Sequence, residues 1–204
     1  MPTPTYTTTQ LAAVNEILGS VGQAPVTVLD TTNPEVAFAY NTLMDISREV
    51  QAEGWSFNKE LEYPVTPDTN GYINVAGNMI SMDLSSLYEN VGYDTVIRDG
   101  KLYDKIGHTN IWDNQEYKVD IVWFFDFDDL PQPFRDYITA RAASRAAIRL
   151  VGDVNLAQTL SAAEGWRRAA CIEYECNEGD YTMFGFPKGD DYYVSYQPFR
   201  ALAR

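Results

Sequence analysis

The chain has 204 residues and a formal net charge of −14, and 45% of its residues are apolar. This length allows one sizeable core, or one core with an insertion, and the apolar content excludes an intrinsically disordered chain. The longest apolar runs, such as residues 121–125, are too short to cross a membrane, and residues 1–4 do not resemble a signal peptide, so we expect a folded protein without a membrane anchor in a cytoplasm.

The first predicted helix begins near Gln10 and ends near Gly19. Thr7 and Gln10 fit a capping box, in which a hydroxyl and an amide satisfy the free N–H groups that open a helix. Gly19 and Gly22 favour a left-handed stop, and Pro25 prevents the helix from resuming. Apolar residues at helical spacing form the buried stripe: Leu11, Val14, Ile17, Leu18 and Val21.

A second helix is predicted from Asn33 to Gly54. Asn33 is a favourable N-cap, and Pro34 suits the first helical position because its missing N–H is not needed there. Trp55 and Phe57 are predicted to anchor the exit from this helix. Its buried face consists of Val36, Tyr40, Leu43 and Val50.

The middle of the chain changes from helical to strand periodicity. Asp99-Gly100 is a strong hairpin signal because both turn residues accept a positive φ, and Gly77-Asn78 is a second turn pair. The predicted strands are residues 72–75, 79–82, 95–98, 101–104 and 117–125. We therefore predict a small antiparallel β domain, residues 61–124, inserted between two pairs of helices.

Two further helices are predicted after this insertion. Pro131-Gln132-Pro133 begins the third helix and Gly152 ends it, and Asp153 caps the fourth helix, which runs towards Tyr174. Alanines in both helices permit the close approach that an antiparallel bundle needs. The predicted fold is thus α+β: a bundle of about four helices closing one core, from residues 1–60 and 125–178, with the β insertion.

Residues 179–204 are predicted to form an extended C-terminal arm. This segment has no sustained helical or strand period, yet it is rich in aromatic residues, which disordered tails usually lack. Spaced aromatic side chains in an extended segment anchor it in the pockets of a partner. The candidate anchors are Phe184, Phe186, Tyr192, Tyr193, Tyr196 and Phe199, together with Arg200.

No residue pattern specifies an enzyme, a cofactor or a metal. Asp126, Asp128 and Asp129 could act as paired carboxylates or bind a hard cation, but acids that precede a helix also cap it. The lone His108 lies in a predicted loop without a nucleophile elbow. Cys171 and Cys176 are too far apart along a helix to bridge. No glycine-rich phosphate loop is present in the sequence.

Arg141, Arg145 and Arg149 recur every four residues and therefore share one face of the third helix. One interpretation is a solvated face with weak surface ion pairs. The other is an inter-subunit seam, where arginine is enriched.

The ordered set of motifs resembles the tail tubular protein A family, the head-to-tail adaptor of short-tailed (podovirus) bacteriophages. The first block is Leu11, Val14, Asn15, Ile17, Leu18, Gly22, Pro25 and Val26, and it is followed by Gly54, Trp55, Phe57 and Asn58. The later blocks are Asp126, Asp128, Pro131, Phe134 and Arg135, then Ala143-Ser144-Arg145, and Cys171, Glu173, Tyr174 and Glu175. The resemblance covers roughly residues 10–58 and 119–181.

This resemblance implies a structural virion protein, located in the tail and assembled in the host cytoplasm. It implies a twelve-fold ring of this chain below the portal protein, which extends the DNA channel towards a nozzle protein similar to tail tubular protein B. The bundle would build the ring, with Arg141, Arg145 and Arg149 between subunits. The β insertion would face the nozzle, and the arm would bind the portal. The alternatives are a cell-wall or polysaccharide-degrading tail enzyme that uses Asp126 with Asp128 or Asp129, and a generic helical adaptor without catalysis.

The acidic residues are concentrated in the middle of the chain. Residues 61–130 carry thirteen acids and four bases. Such a surface repels nucleic acid, which suits a channel through which genomic DNA slides without specific binding.

Overall fold

The structure is a computed structural model that describes residues 9–85 and 92–178. Its helices are α1 (Gln10–Ser20), α2 (Pro34–Gln51), α3 (Gln132–Leu150) and α4 (Val154–Glu178). Its strands are β1 (Lys59–Val65), β2 (Met79–Leu84), β3 (Thr95–Arg98), β4 (Lys101–Asp104) and β5 (Tyr117–Trp123). The predicted α+β class, with four helices and small antiparallel sheets, is confirmed, whereas the predicted arm lies outside the described residues. Within the two described ranges, no helix has the length and apolar character needed to cross a membrane.

The described residues form two compact units. The helical unit consists of residues 9–58 and 124–174, and the β unit consists of residues 59–85 and 92–123. In the helical unit, α1, α2 and α3 supply most of the core. The fourth helix also reaches this core, through Cys171, its one fully buried side chain among the described residues, and through the partly buried Tyr174.

The ends of α1 and α2 follow from local sequence. Thr9 caps α1 by accepting a hydrogen bond from the N–H of Ala12 at 3.3 Å, whereas the predicted cap, Thr7, lies outside the described residues. Gly22 adopts a φ of +79°, the left-handed conformation that was predicted to stop α1. Asn33 caps α2 by accepting from the N–H of Glu35 at 3.0 Å, as predicted.

The turn between α3 and α4 was also predicted correctly. Gly152 has a φ of +70°, and the carboxylate of Asp153 accepts from the N–H of Asn155 at 2.8 Å. The short connection makes α3 and α4 an antiparallel pair, and we call these two helices the α3–α4 hairpin.

The β unit has a three-stranded antiparallel sheet in the order β1-β5-β2 and a separate hairpin of β3 and β4. Asp99 and Gly100 join β3 to β4 with φ values of +50° and +69°, so this predicted hairpin is confirmed. The core of the unit includes Ile73, Met82, Leu102, Trp112, Tyr117, Val119 and Ile121.

The strand predicted at residues 72–75 is wrong. This segment forms only an isolated bridge between Asn74 and Lys101. The backbone of the segment bonds to the β3–β4 hairpin: the N–H of Val75 donates to the carbonyl of Gly100 at 2.8 Å, and the N–H of Leu102 donates to the carbonyl of Ile73 at 3.0 Å. The carboxylate of Asp68 also accepts from the N–H of Tyr72 at 2.9 Å and from the side-chain amide of Asn74 at 3.0 Å.

Candidate assembly surfaces of the helical unit

The basic stripe of α3 is paired with acids of the same chain. The guanidinium of Arg145 donates to both carboxylate oxygens of Glu49 at 2.6 and 2.7 Å. Arg141 lies 3.3 Å from Glu49, 3.7 Å from Glu53 and 3.9 Å from Glu164. The hydrogen bond from Arg145 holds the pKa of Glu49 below its usual value. These contacts join α2, α3 and α4 by charge.

Arg168 and Cys171 of α4 make further polar contacts with the helical unit. Arg168 donates to both oxygens of Glu53 at 3.2 and 2.9 Å and to the hydroxyl of Tyr137 at 2.8 Å. These bonds to Glu53 and Tyr137 raise the pKa of Arg168 above its usual value. Cys171 donates to the carbonyl of Pro133 at 3.2 Å, and burial raises the pKa of its thiol to about 12. Cys171 belongs to the core of the helical unit, and a raised pKa disfavours the nucleophilic thiolate form.

The tip of the α3–α4 hairpin exposes apolar side chains. Val154 is 68% exposed and Ile148 is 57% exposed, although side chains of this size are usually buried. A groove of about 700 Å³ lies at this tip, and we call it the hairpin groove. Its lining is partly polar and consists of Ile148, Gly152, Asp153, Val154, Ala157, Gln158, Ser161 and Ala162.

The side of α4 that faces away from α3 carries another exposed apolar side chain. Trp166 is 79% exposed. It lies on one helical face with Thr159, Ala169, Ala170 and Glu173, all of which are exposed. We call these five residues the α4 outer face. Sequence analysis missed this surface, although the weak amphipathic pattern of α4 could have indicated that the helix lacks a strongly buried stripe.

A family model described as "Tail tubular protein" matches residues 11–181 of this chain. The chain belongs to the tail tubular protein family. A relative, Tail tubular protein A of Klebsiella phage KP34, is 28% identical over 170 residues, which are 83% of this chain and 88% of the relative. The recognition made from the motifs is therefore confirmed, and this tail tubular protein is a structural protein of a bacteriophage tail.

In this tail tubular protein the acids at residues 126–129 do not cap α3, so that interpretation is wrong. The N-cap position of α3 is Pro131, and no side chain bonds to this helix end. Asp128 instead accepts a hydrogen bond from the N–H of Gln10 at 3.1 Å and thus caps α1. Asp126 precedes the short 3-10 helix Phe127–Asp129 and makes no side-chain cap there.

No group of three or more His, Cys, Asp or Glu side chains is placed to hold a metal ion within residues 9–85 and 92–178. His108 is exposed in a turn, where it has a φ of +52°.

The three arginines predicted to lie between subunits differ in their surroundings. Arg141 and Arg145 are paired inside the chain, whereas Arg149 is exposed and forms no ion pair with any described residue. The inter-subunit role of the stripe stays a prediction. The predicted portal anchors lie outside the described residues, and their role also stays a prediction. These anchors are Phe184, Phe186, Tyr192, Tyr193, Tyr196, Phe199 and Arg200.

Proposed function

We propose that this tail tubular protein is the head-to-tail adaptor of the virion. Twelve copies form a ring that joins the portal protein to the tail nozzle protein and surrounds the DNA ejection channel. The observation that carries the proposal is the family match over residues 11–181, which spans the sequence of both the helical unit and the β unit. The named relative supports it, since it matches most of both chains.

Each segment has a separate role in this proposal. The helical segment, residues 1–60 and 125–178, builds the ring, and the β segment, residues 61–124, faces the nozzle. Residues 179–204 bind the portal. Of the arginine stripe, Arg149 is the member best suited to meet an acid of a neighbouring subunit, because Arg141 and Arg145 already have acidic partners within the chain.

Electron microscopy of the purified protein mixed with its portal protein tests this function. We expect a ring coaxial with the portal, on the side that leads to the tail. Density for this protein on the outside of the tail, or no complex with the portal at concentrations where tails assemble, would contradict the adaptor role.

Deleting residues 185–204 is expected to abolish portal binding. The melting temperature of the helical unit should change little, because its core is built from residues 13–171. Portal binding is measured by co-sedimentation and folding by thermal circular dichroism. The control is the full chain with Tyr63→Ala, a change in the β unit that should keep portal binding. A truncated chain that binds the portal with native affinity would contradict the assignment of the arm.

The unmodified protein is expected to show no measurable binding of duplex DNA at physiological salt. Its charge of −14 repels phosphate, and each base that contacts a phosphate would add affinity with a steep salt dependence. Replacing the exposed acids Asp113 and Glu116 by lysine should create binding that weakens as salt rises. Fluorescence anisotropy with a labelled duplex measures both effects. Tight, salt-dependent binding by the unmodified chain would contradict a passive channel.

A further inference from the structure

We propose that the first part of α4 opens and closes locally, with Gly165 as its hinge, while the rest of the helical unit stays folded. We call residues 154–163 the tip segment and residues 166–174 the docked segment. The opening itself is independent of the proposed function. Its effect on assembly rests on that function.

The docked segment is fixed to the helical unit by apolar and polar contacts. Cys171 is fully buried, and its thiol donates to the carbonyl of Pro133 at 3.2 Å. The ring of Tyr174 packs edge-on against Phe134, with 5.9 Å between the ring centroids. Two arginines of the segment also form ion pairs with acids of the helical unit. Opening of the docked segment would therefore expose part of the core of this unit.

The tip segment lacks comparable anchors among the described residues. None of its side chains is fully buried, and none packs against the described core of the helical unit. Its hydrogen bonds with described residues stay within the segment and its cap: the hydroxyl of Thr159 donates to the carbonyl of Asn155 at 3.0 Å, and the N–H of Asn155 donates to Asp153 at 2.8 Å. Isolated helices shorter than about 12–15 residues are marginally stable in water. We therefore expect the tip segment to open at a lower free energy than the core.

The junction between the two segments is weak. Gly165 lies inside the helix, where glycine makes helix formation about four- to fivefold less favourable than alanine does. Its backbone is not left-handed, and a Cβ atom at this position would meet no atom within 4 Å. Neither conformation nor space therefore requires glycine here, whereas Gly152, before the tip segment, has a φ of +70° that a turn demands. The adjacent Glu164 lies 3.9 Å from Arg141, and an ion pair of that length adds little stability.

Opening of the tip segment also removes the hairpin groove, because most of the residues that line the groove belong to this segment. In the proposed ring, a contact at this tip can form only when the segment is closed. The affinity of such a contact is scaled by the fraction of chains in which the segment is closed. Local opening thus sets how readily this surface becomes available for assembly.

Hydrogen exchange of the full chain, resolved to single amides by NMR, measures the two segments separately. We expect the amides of residues 158–163 to exchange about tenfold faster than those of residues 170–174, after correction for intrinsic rates. Low concentrations of urea should hardly change the exchange of the tip segment, because local opening exposes little surface. Equal protection of the two segments, or a urea dependence of the tip segment as steep as that of the α3 core, would overturn the inference.

Replacing Gly165 by alanine tests the hinge. The change is expected to slow exchange in the tip segment about four- to fivefold, because alanine stabilises the closed helix. Exchange at residues 170–174 should stay as it is in the wild type. A Gly165→Ala protein whose tip segment exchanges at the wild-type rate would contradict the role of this glycine.

Two matched substitutions at exposed alanines locate the boundary between the segments. Ala163→Gly lies in the tip segment and should speed its exchange about four- to fivefold. Ala170→Gly makes the same change in the docked segment and should leave exchange in the tip segment unaltered. If Ala170→Gly speeds exchange in the tip segment as much as Ala163→Gly does, the whole helix opens together and the inference is wrong. The adaptor role would survive that result, since it is tested by the microscopy with portal protein.

Discussion

Replacing Trp55 by alanine is expected to lower the free energy of unfolding by about 3–5 kcal/mol, the usual cost of removing a large buried aromatic side chain. Trp55 is 8% exposed, and its ring packs edge-on against Phe134 with 4.9 Å between centroids. Its indole N–H donates to the carbonyl of Val50 at 2.7 Å, which would lose this partner. Urea denaturation of the isolated protein measures the change.

Two controls distinguish this effect from a general sensitivity to mutation. Trp166→Ala makes the same substitution at an exposed position, and His108→Ala alters an exposed turn. Both should change the free energy of unfolding by no more than about 0.5 kcal/mol. A larger loss at either position than at Trp55 would contradict our account of the core.

Replacing Gln51 by leucine is expected to lower the free energy of unfolding by about 1–3 kcal/mol, because it leaves the partly buried N–H and carbonyl groups of Phe125 without their side-chain partner. Gln51 is fully buried. Its side-chain oxygen accepts from the N–H of Phe125 at 2.8 Å, and its amide donates to the carbonyl of Phe125 at 3.0 Å. Leucine has a similar volume but can replace neither bond.

The same residue also fixes the point where the chain leaves the helical unit. The side-chain NH2 of Asn58 donates to the backbone carbonyl of Gln51 at 2.9 Å, and the side-chain oxygen of Asn58 accepts from the backbone N–H of Trp55 at 2.8 Å.

The control for Gln51→Leu is Gln158→Leu on the exposed surface of α4, where the free energy of unfolding should change by no more than about 0.5 kcal/mol. Equal stability of the Gln51→Leu protein and the wild type would contradict the role of this amide.

The features that the sequence predicted correctly depend on neighbours in the chain. Asn33 before Pro34, Asp99 before Gly100, and Gly152 before Asp153 each determine a helix end or a turn through bonds and φ values within a few residues. Local stereochemistry leaves few alternatives at such positions. The recognition of the family rests partly on the same kind of signal, since its motifs include Gly22 and Gly54, two glycines with positive φ that follow α1 and α2.

The features that the sequence did not predict depend on contacts between distant residues. Asp128 was assigned to the nearest helix, but its partner is Gln10, which is 118 positions away. β1 was missed because Leu61 and Tyr63 are partly exposed and give no buried alternation. The acidic partner of Arg145, Glu49, lies on another helix. The exposure of Trp166 could not be predicted either, because it depends on which side of α4 packs against the other helices.

The bond between Gln10 and Asp128 also bears on the order in which the protein forms during synthesis. Ribosomes add about 5–20 residues per second, so Asp128 is made about 6–24 s after Gln10, given their separation of 118 residues, whereas the other cap, Thr9, is made with the helix. The whole β unit emerges in that interval. If it becomes compact first, it brings residues 58 and 124 towards each other and lowers the entropy cost of closing the long loop between α2 and α3. The folded insertion would then speed the last step, in which the two separated stretches of chain that form the helical core pack together.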